Sequence, residues 1–85
     1  MSGAKAVRAK VHVMLKPGVL DVEGKAIEGA LHGLGFAGVS EVRVGKTIAF
    51  DLAAGDRAAA EAEVRAMAEK LLANPVIESW RVEFA

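Results

Sequence analysis

The 85-residue chain has no cysteine and no tyrosine, and its aromatic side chains are Trp80 and three phenylalanines. Without cysteine there are no disulfides, thiolate nucleophiles, iron–sulfur ligands or cysteine zinc sites. Net charge is also missing: 11 Lys and Arg balance 11 Asp and Glu. That argues against a nucleic-acid partner held by a strongly basic surface. No apolar run approaches about 18 residues, so no transmembrane helix is expected. The N-terminus has no signal-peptide core, since Arg8 and Lys10 interrupt any apolar stretch. A cytoplasmic protein with no membrane and no nucleic-acid partner is expected, and residues 2–5 are assigned no role.

Of the 45 hydrophobic residues, 17 are alanine. The length predicts one domain over residues 1–85, with an ordered core of about 7–84. Such a core suffices for folding but leaves little interior for a deep active site, and a small module often completes its burial against a partner.

Residues 7–16 alternate. Val7, Ala9, Val11, Val13 and Leu15 face one way; Arg8, Lys10, His12, Met14 and Lys16 face the other. Period two predicts a strand with one buried face, closed by a turn at Pro17-Gly18. Asp21 caps a predicted helix running to about Leu34, with Ile27, Ala30, Leu31 and Leu34 on one face. Gly33 or Gly35 supplies its left-handed stop. Gly24 and Gly29 weaken it, so packing must hold it, and either could admit a close backbone.

Residues 39–52 place Val42, Val44, Ile48, Phe50 and Leu52 on even positions around Gly45-Lys46. A two-residue hairpin loop would split these side chains between faces. A three-residue connection, Gly45-Lys46-Thr47, keeps them together. So does one bent strand of about 14 residues, roughly 45 Å, which suits an 85-residue domain only if its halves serve different sheets in a strand-exchanged dimer. Asp56 caps a second helix to about Ala73, with a stripe of Ala60, Val64, Met67, Ala68, Leu71 and Leu72 and a surface pair Glu61–Arg65. Asn74-Pro75 stops it. Trp80, Val82 and Phe84 then alternate as a last strand. The predicted class is α+β, a two-layer sandwich: ferredoxin-like βαββαβ, or βαβαβ with one long bent central strand shared in a strand-exchanged dimer, both helices covering one sheet face.

No constellation for catalysis emerges. Ser40 and Ser79 lack a nucleophile-elbow context. His12 and His32 are far apart with no carboxylate cluster, so a metal or a histidine-based small enzyme is a weak reading. The pairs Glu23 and Glu28, or Glu61 and Glu63, fit a solvated helix face better than acid–base work. The glycine-rich run 33–38 follows a helix instead of a strand, which fits a C-cap and not a phosphate loop. The open sheet face carries no aromatic for base stacking. No catalytic, cofactor-binding or metal residue is assigned.

Three segments nevertheless stand out together: Leu15-Lys16-Pro17-Gly18-Val19-Leu20-Asp21, Val42-Arg43-Val44-Gly45-Lys46, and Lys70-Leu71-Leu72-Ala73-Asn74-Pro75-Val76-Ile77-Glu78. In this order and spacing, from about Val7 to Phe84, they resemble the PurS family, the small subunit of phosphoribosylformylglycinamidine synthase. The chain departs at Val22, where the family often has proline after the aspartate; proline there would preorganise the helix start. The resemblance implies a non-catalytic subunit, dimeric or of higher homo-oligomeric state, that bridges a glutaminase (PurQ) and an ATP-dependent synthetase (PurL). It supports ammonia transfer to formylglycinamide ribonucleotide in a complex using ATP, Mg and glutamine. It also implies candidate partner contacts at Arg43, Gly45 and Lys46 in the central bend, and at Asn74 and Pro75, with Val76, at the helix exit. The alternative is a free-standing ferredoxin-like regulatory domain with a small-molecule cleft near a strand–helix junction.

Overall fold

A computed structural model of the chain describes residues 5–84, so residues 1–4 and 85 of the predicted domain lie outside the described residues. The element order is β1 (Lys5–Leu15), α1 (Val22–Gly33), β2 (Gly45–Ala54), α2 (Arg57–Met67) with a π-helical extension Ala68–Leu72, and β3 (Glu78–Phe84). β1 lies at the centre of a three-stranded antiparallel sheet in the order β2-β1-β3. Its register sets Val11 opposite both Ile48 and Val82.

The alternation read in β1 is the origin of the core. Ala9, Val11 and Val13 are fully or almost fully buried against Val64 and Ala68 of the second helix. Ile48, Phe50 and Leu52 flank them from β2, and Trp80, Val82 and Phe84 from β3. Each fully buried valine contributes about 1.5–3 kcal/mol. Buried Ala68 packs in the same cluster as Ala9, which is how an alanine-rich chain still closes its interior. Arg57 and Arg65 lie over the rings of Phe84 and Trp80 at 4.5 and 5.6 Å, so α2 also covers the β3 aromatics with its surface cations. The Glu61–Arg65 pair forms at 3.5 Å.

Three expectations are corrected. The middle segment is not a hairpin: Gly45, Lys46 and Thr47 are the first residues of β2, paired with Met14, Val13 and His12. Nor is it one continuous 14-residue strand. Glu41 adopts φ +57°, a left-handed conformation uncommon outside glycine, and residues 39–44 pair with no strand here. The six-element βαββαβ order therefore gives way to the five-element βαβαβ reading. Second, Leu71 leaves the buried stripe and is 82% exposed. The cause is the π-helical turn, whose N–H of Ala73 reaches the carbonyl of Ala68 at 3.0 Å. The extra residue in that turn rotates Leu71 outward and Leu72 inward.

Third, only α2 lies on the sheet. In α1 the sole buried residue is Gly24, while Ile27 is 39% and Leu34 74% exposed. The radius of gyration is 17.0 Å and the molecule extends 55 × 26 × 15 Å, against about 12 Å expected for a compact domain of this length. Helix α1 and residues 39–44 form an arm that projects past the sheet.

Candidate subunit interface

The arm has its own hydrogen-bonded logic. Asp21 caps α1, its Oδ1 accepting from the Gly24 amide at 2.8 Å, and its Oδ2 accepts from the Val44 amide at 2.8 Å. One turn-pair further on, Glu28 Oε1 accepts from the Val42 amide at 3.2 Å. His32 Nε2 then donates to the Val39 carbonyl at 2.6 Å. These three side chains lie on one helix face and satisfy a segment that no strand satisfies. Gly24 is required there, because a Cβ would run into the Val42 carbonyl and the Asp21 carboxylate. The helix ends in a Schellman motif: Phe36 N–H reaches the Leu31 carbonyl, and Gly35 (φ +100°) donates to His32 O, each at 3.0 Å.

Asp21 is buried, and its carboxyl is held below the usual range, first by the Val44 amide, then by the Gly24 amide, with Arg43 adding. A depressed folded-state pKa means that this stabilisation is complete above about pH 4 and is lost as pH falls through the folded value. Acid titration followed by amide exchange should therefore show the Val44 proton losing protection below about pH 4. Asp21→Asn should show weak protection already at neutral pH.

The arm meets the sheet at one end of β1. Lys16, Pro17, Gly18 and Val19 form a type II turn, with Val19 N–H on the Lys16 carbonyl at 3.1 Å and Gly18 at φ +91°. Arg43 clamps it: Nη1 donates to Val19 O and Nη2 to Lys16 O, both at 3.1 Å, and Nη2 also reaches Leu15 O at 3.5 Å. The helix exit lies beside this turn. Asn74 Oδ1 accepts from Val76 N–H at 3.0 Å, and its own N–H donates to Glu78 Oε1 at 2.6 Å. Lys16 Nζ donates to the Pro75 carbonyl and Lys16 N–H to the Ile77 carbonyl, both at 2.8 Å.

The two groups of candidate contacts thus converge on one end of the sheet. Arg43 is half-buried and turned inward onto backbone. Gly45 abuts Met14 and the Val13 carbonyl so closely that a side chain would collide. Lys46, Asn74 and Pro75 are exposed. Lys46 lines, with Asp21, Glu23 and Glu78, a cavity of about 270 Å³. Exposed Leu71, Val76 and Ile77 add an apolar rim at the exit. The residue that sequence reasoning passed over is Lys16, read only as an outward polar position. Its partner at Pro75 lies 59 residues away, and no local pattern encodes such a pair.

The histidines serve structure. On the open face His12 bridges Thr47 Oγ1 at 2.9 Å and Glu83 Oε1 at 2.6 Å, and its hydrogen bond holds the Glu83 carboxyl below the usual range. Among the described residues no three His, Asp or Glu side chains form a group suited to a metal, and no helix is long and apolar enough to cross a membrane.

Comparison with known proteins accords with this geometry. The sequence profile of PurS, phosphoribosylformylglycinamidine (FGAM) synthase, matches residues 8–85. The PurS subunit of that synthase from Mycobacterium leprae is 47% identical over 75 residues, 88% of this chain and 91% of the relative. The Bacillus subtilis PurS structure superposes with a TM-score of 0.82 at 42% identity, covering 93% of this chain and 98% of that one. A chain of the Thermotoga maritima PurLQS structure superposes with a TM-score of 0.89 at 28% identity, covering 95% and 99%. The chain belongs to the PurS family: it is a subunit of phosphoribosylformylglycinamidine synthase, in which the complex is the enzyme.

Proposed function

We propose that the whole chain acts as a single assembly unit that bridges the glutaminase and synthetase subunits and supports ammonia transfer between them. The complex works in the cytoplasm and consumes ATP, with Mg, and glutamine. The observation that carries this reading is the opened architecture. A two-layer fold wants two helices on its sheet, yet α1 stands off and leaves an apolar groove of about 480 Å³ lined by Phe50, Met67, Leu71 and Leu72. The groove lies between α2 and the free edge of β2, where a second helix and a fourth strand belong. A second copy's α1 and its residues 39–44 have the apolar face and the length to fill both, giving a strand-exchanged dimer. The existence of a PurLQS assembly in Thermotoga maritima supports the further partners. Arg43, Gly45, Lys46, Asn74 and Pro75 then form the end surface at which a partner subunit docks, Arg43 and Gly45 by shaping it and the others by contact.

Co-purification with the two partner subunits tests the reading. Adding this chain should raise their association and their glutamine-dependent synthesis; both unchanged would refute it. A ligand-sensing role has one feature in its favour, the 270 Å³ cavity at the β1–α1 junction. That volume lies below the usual range for small-molecule sites, and its buried carboxylate, Asp21, is already committed to two amides.

A further inference from the structure

The bridging role requires that the docking end and the self-association arm keep a fixed relation, and one side chain sits between them. We infer that Lys16 is a positioning residue that couples the helix-exit loop, residues 74–77, to the arm. A partner gripping Asn74 and Pro75 thereby sets the arm's direction. This rests on the assembly reading above for its functional side, while the coupling itself stands on the geometry within one chain.

That geometry is a relay of four links. Lys16 holds the loop twice, by Nζ on the Pro75 carbonyl and by its amide on the Ile77 carbonyl. Its own carbonyl accepts from Arg43 Nη2. Arg43 lies between Val42 and Val44, whose amides are held by Glu28 and Asp21 of α1. Loop, turn, arm segment and helix are therefore joined by hydrogen bonds in which a charged partner recurs, the stronger kind. Arg43 also grips Val19 O, so swinging the arm about the Pro17-Gly18 turn must either break the guanidinium contacts or drag Lys16 along. Dragging Lys16 pulls on Pro75 and Ile77. The ammonium is the loop's side-chain link in this relay, and it lies on the surface, where its loss leaves no buried polar group unsatisfied.

The test uses the full chain with three replacements. Lys16→Met keeps the aliphatic stem and removes the ammonium; Lys16→Arg keeps a cation that reaches the same carbonyl; Asn74→Ala loosens the loop by removing its turn to Val76. Amide exchange at Val42 and Val44 reads the arm. Lys16→Met should speed it by about tenfold, the effect of one charge-assisted hydrogen bond, and Lys16→Arg should restore it to within about threefold. Asn74→Ala should speed the same amides severalfold in the parent chain and clearly less in the Lys16→Met background, because one of the loop's two ties to Lys16 is already gone there. Binding to the synthetase subunit should fall about tenfold with Lys16→Met and recover with Lys16→Arg. Unchanged exchange in Lys16→Met, or an undiminished Asn74→Ala effect in that background, overturns the inference. A parent chain that fails to bind the synthetase refutes the assembly reading instead, and the exchange measurements still decide the coupling.

Discussion

Replacing Leu34 with glutamate should break the proposed strand-exchanged dimer into monomers that keep their sheet. In the single chain Leu34 caps the end of α1 at 74% exposure. By that measure alone the substitution is a surface change within about ±0.5 kcal/mol. Seated in a second copy's groove among Phe50, Met67 and Leu72, the same carboxylate is stripped of water, and the groove's Lys70 is already balanced by its Glu63, so no net counter-charge awaits it. Burial of that kind costs several kcal/mol, and even about 3 kcal/mol weakens association more than a hundredfold. Sedimentation of parent and variant across a dilution series measures this directly. A variant that sediments like its parent would show that α1 does not fill the groove.

The second large effect lies in the core of one chain. Val64 has no exposed surface and touches the central strand where Ala9, Val11 and Val13 are buried. Val64→Ala removes two methyl groups and should cost about 2 kcal/mol, with a melting temperature lower by roughly 8–16 °C. Val64→Asp places an unpaired carboxyl at the same point, where no described polar side chain can meet it. Its penalty of several kcal/mol compares with a total stability of about 5–15 kcal/mol, so the variant should be largely unfolded at neutral pH. Circular dichroism of the three chains at one protein concentration tests the ranking. Equal melting of parent and Val64→Asp would mean that α2 does not seal the core.

How far these features were legible in the sequence follows from the range of the forces involved. The β1 alternation, the caps at Asp21 and Asp56, and the stop at Asn74-Pro75 are set by neighbours a few residues away, and each was read correctly. The even-position pattern through Val42 and Phe50 was equally visible but could not select a topology. What selects it is Asp21 and Glu28 taking the Val44 and Val42 amides, across 23 and 14 residues that carry no shared period. Leu71 was misplaced because an α-helical period was extended through residues 68–72, where one inserted residue shifts the phase. The end surface was located only through resemblance. Its chemistry depends on Lys16 meeting Pro75 and Arg43 meeting the turn carbonyls, contacts that the three-dimensional fold creates.

The internal bonding of the arm also bears on the order in which the molecule is built. Every bond holding residues 39–44 to α1 spans at most 23 positions, whereas pairing β1 with β3 joins Leu15 to Glu78 and Ala9 to Phe84. Short loops close fast and long ones slowly. The arm can thus mature while the sheet is still gathering its last strand, and it presents a finished helix before the groove that receives it exists. Assembly then becomes the docking of ready parts, timed by how often two chains meet.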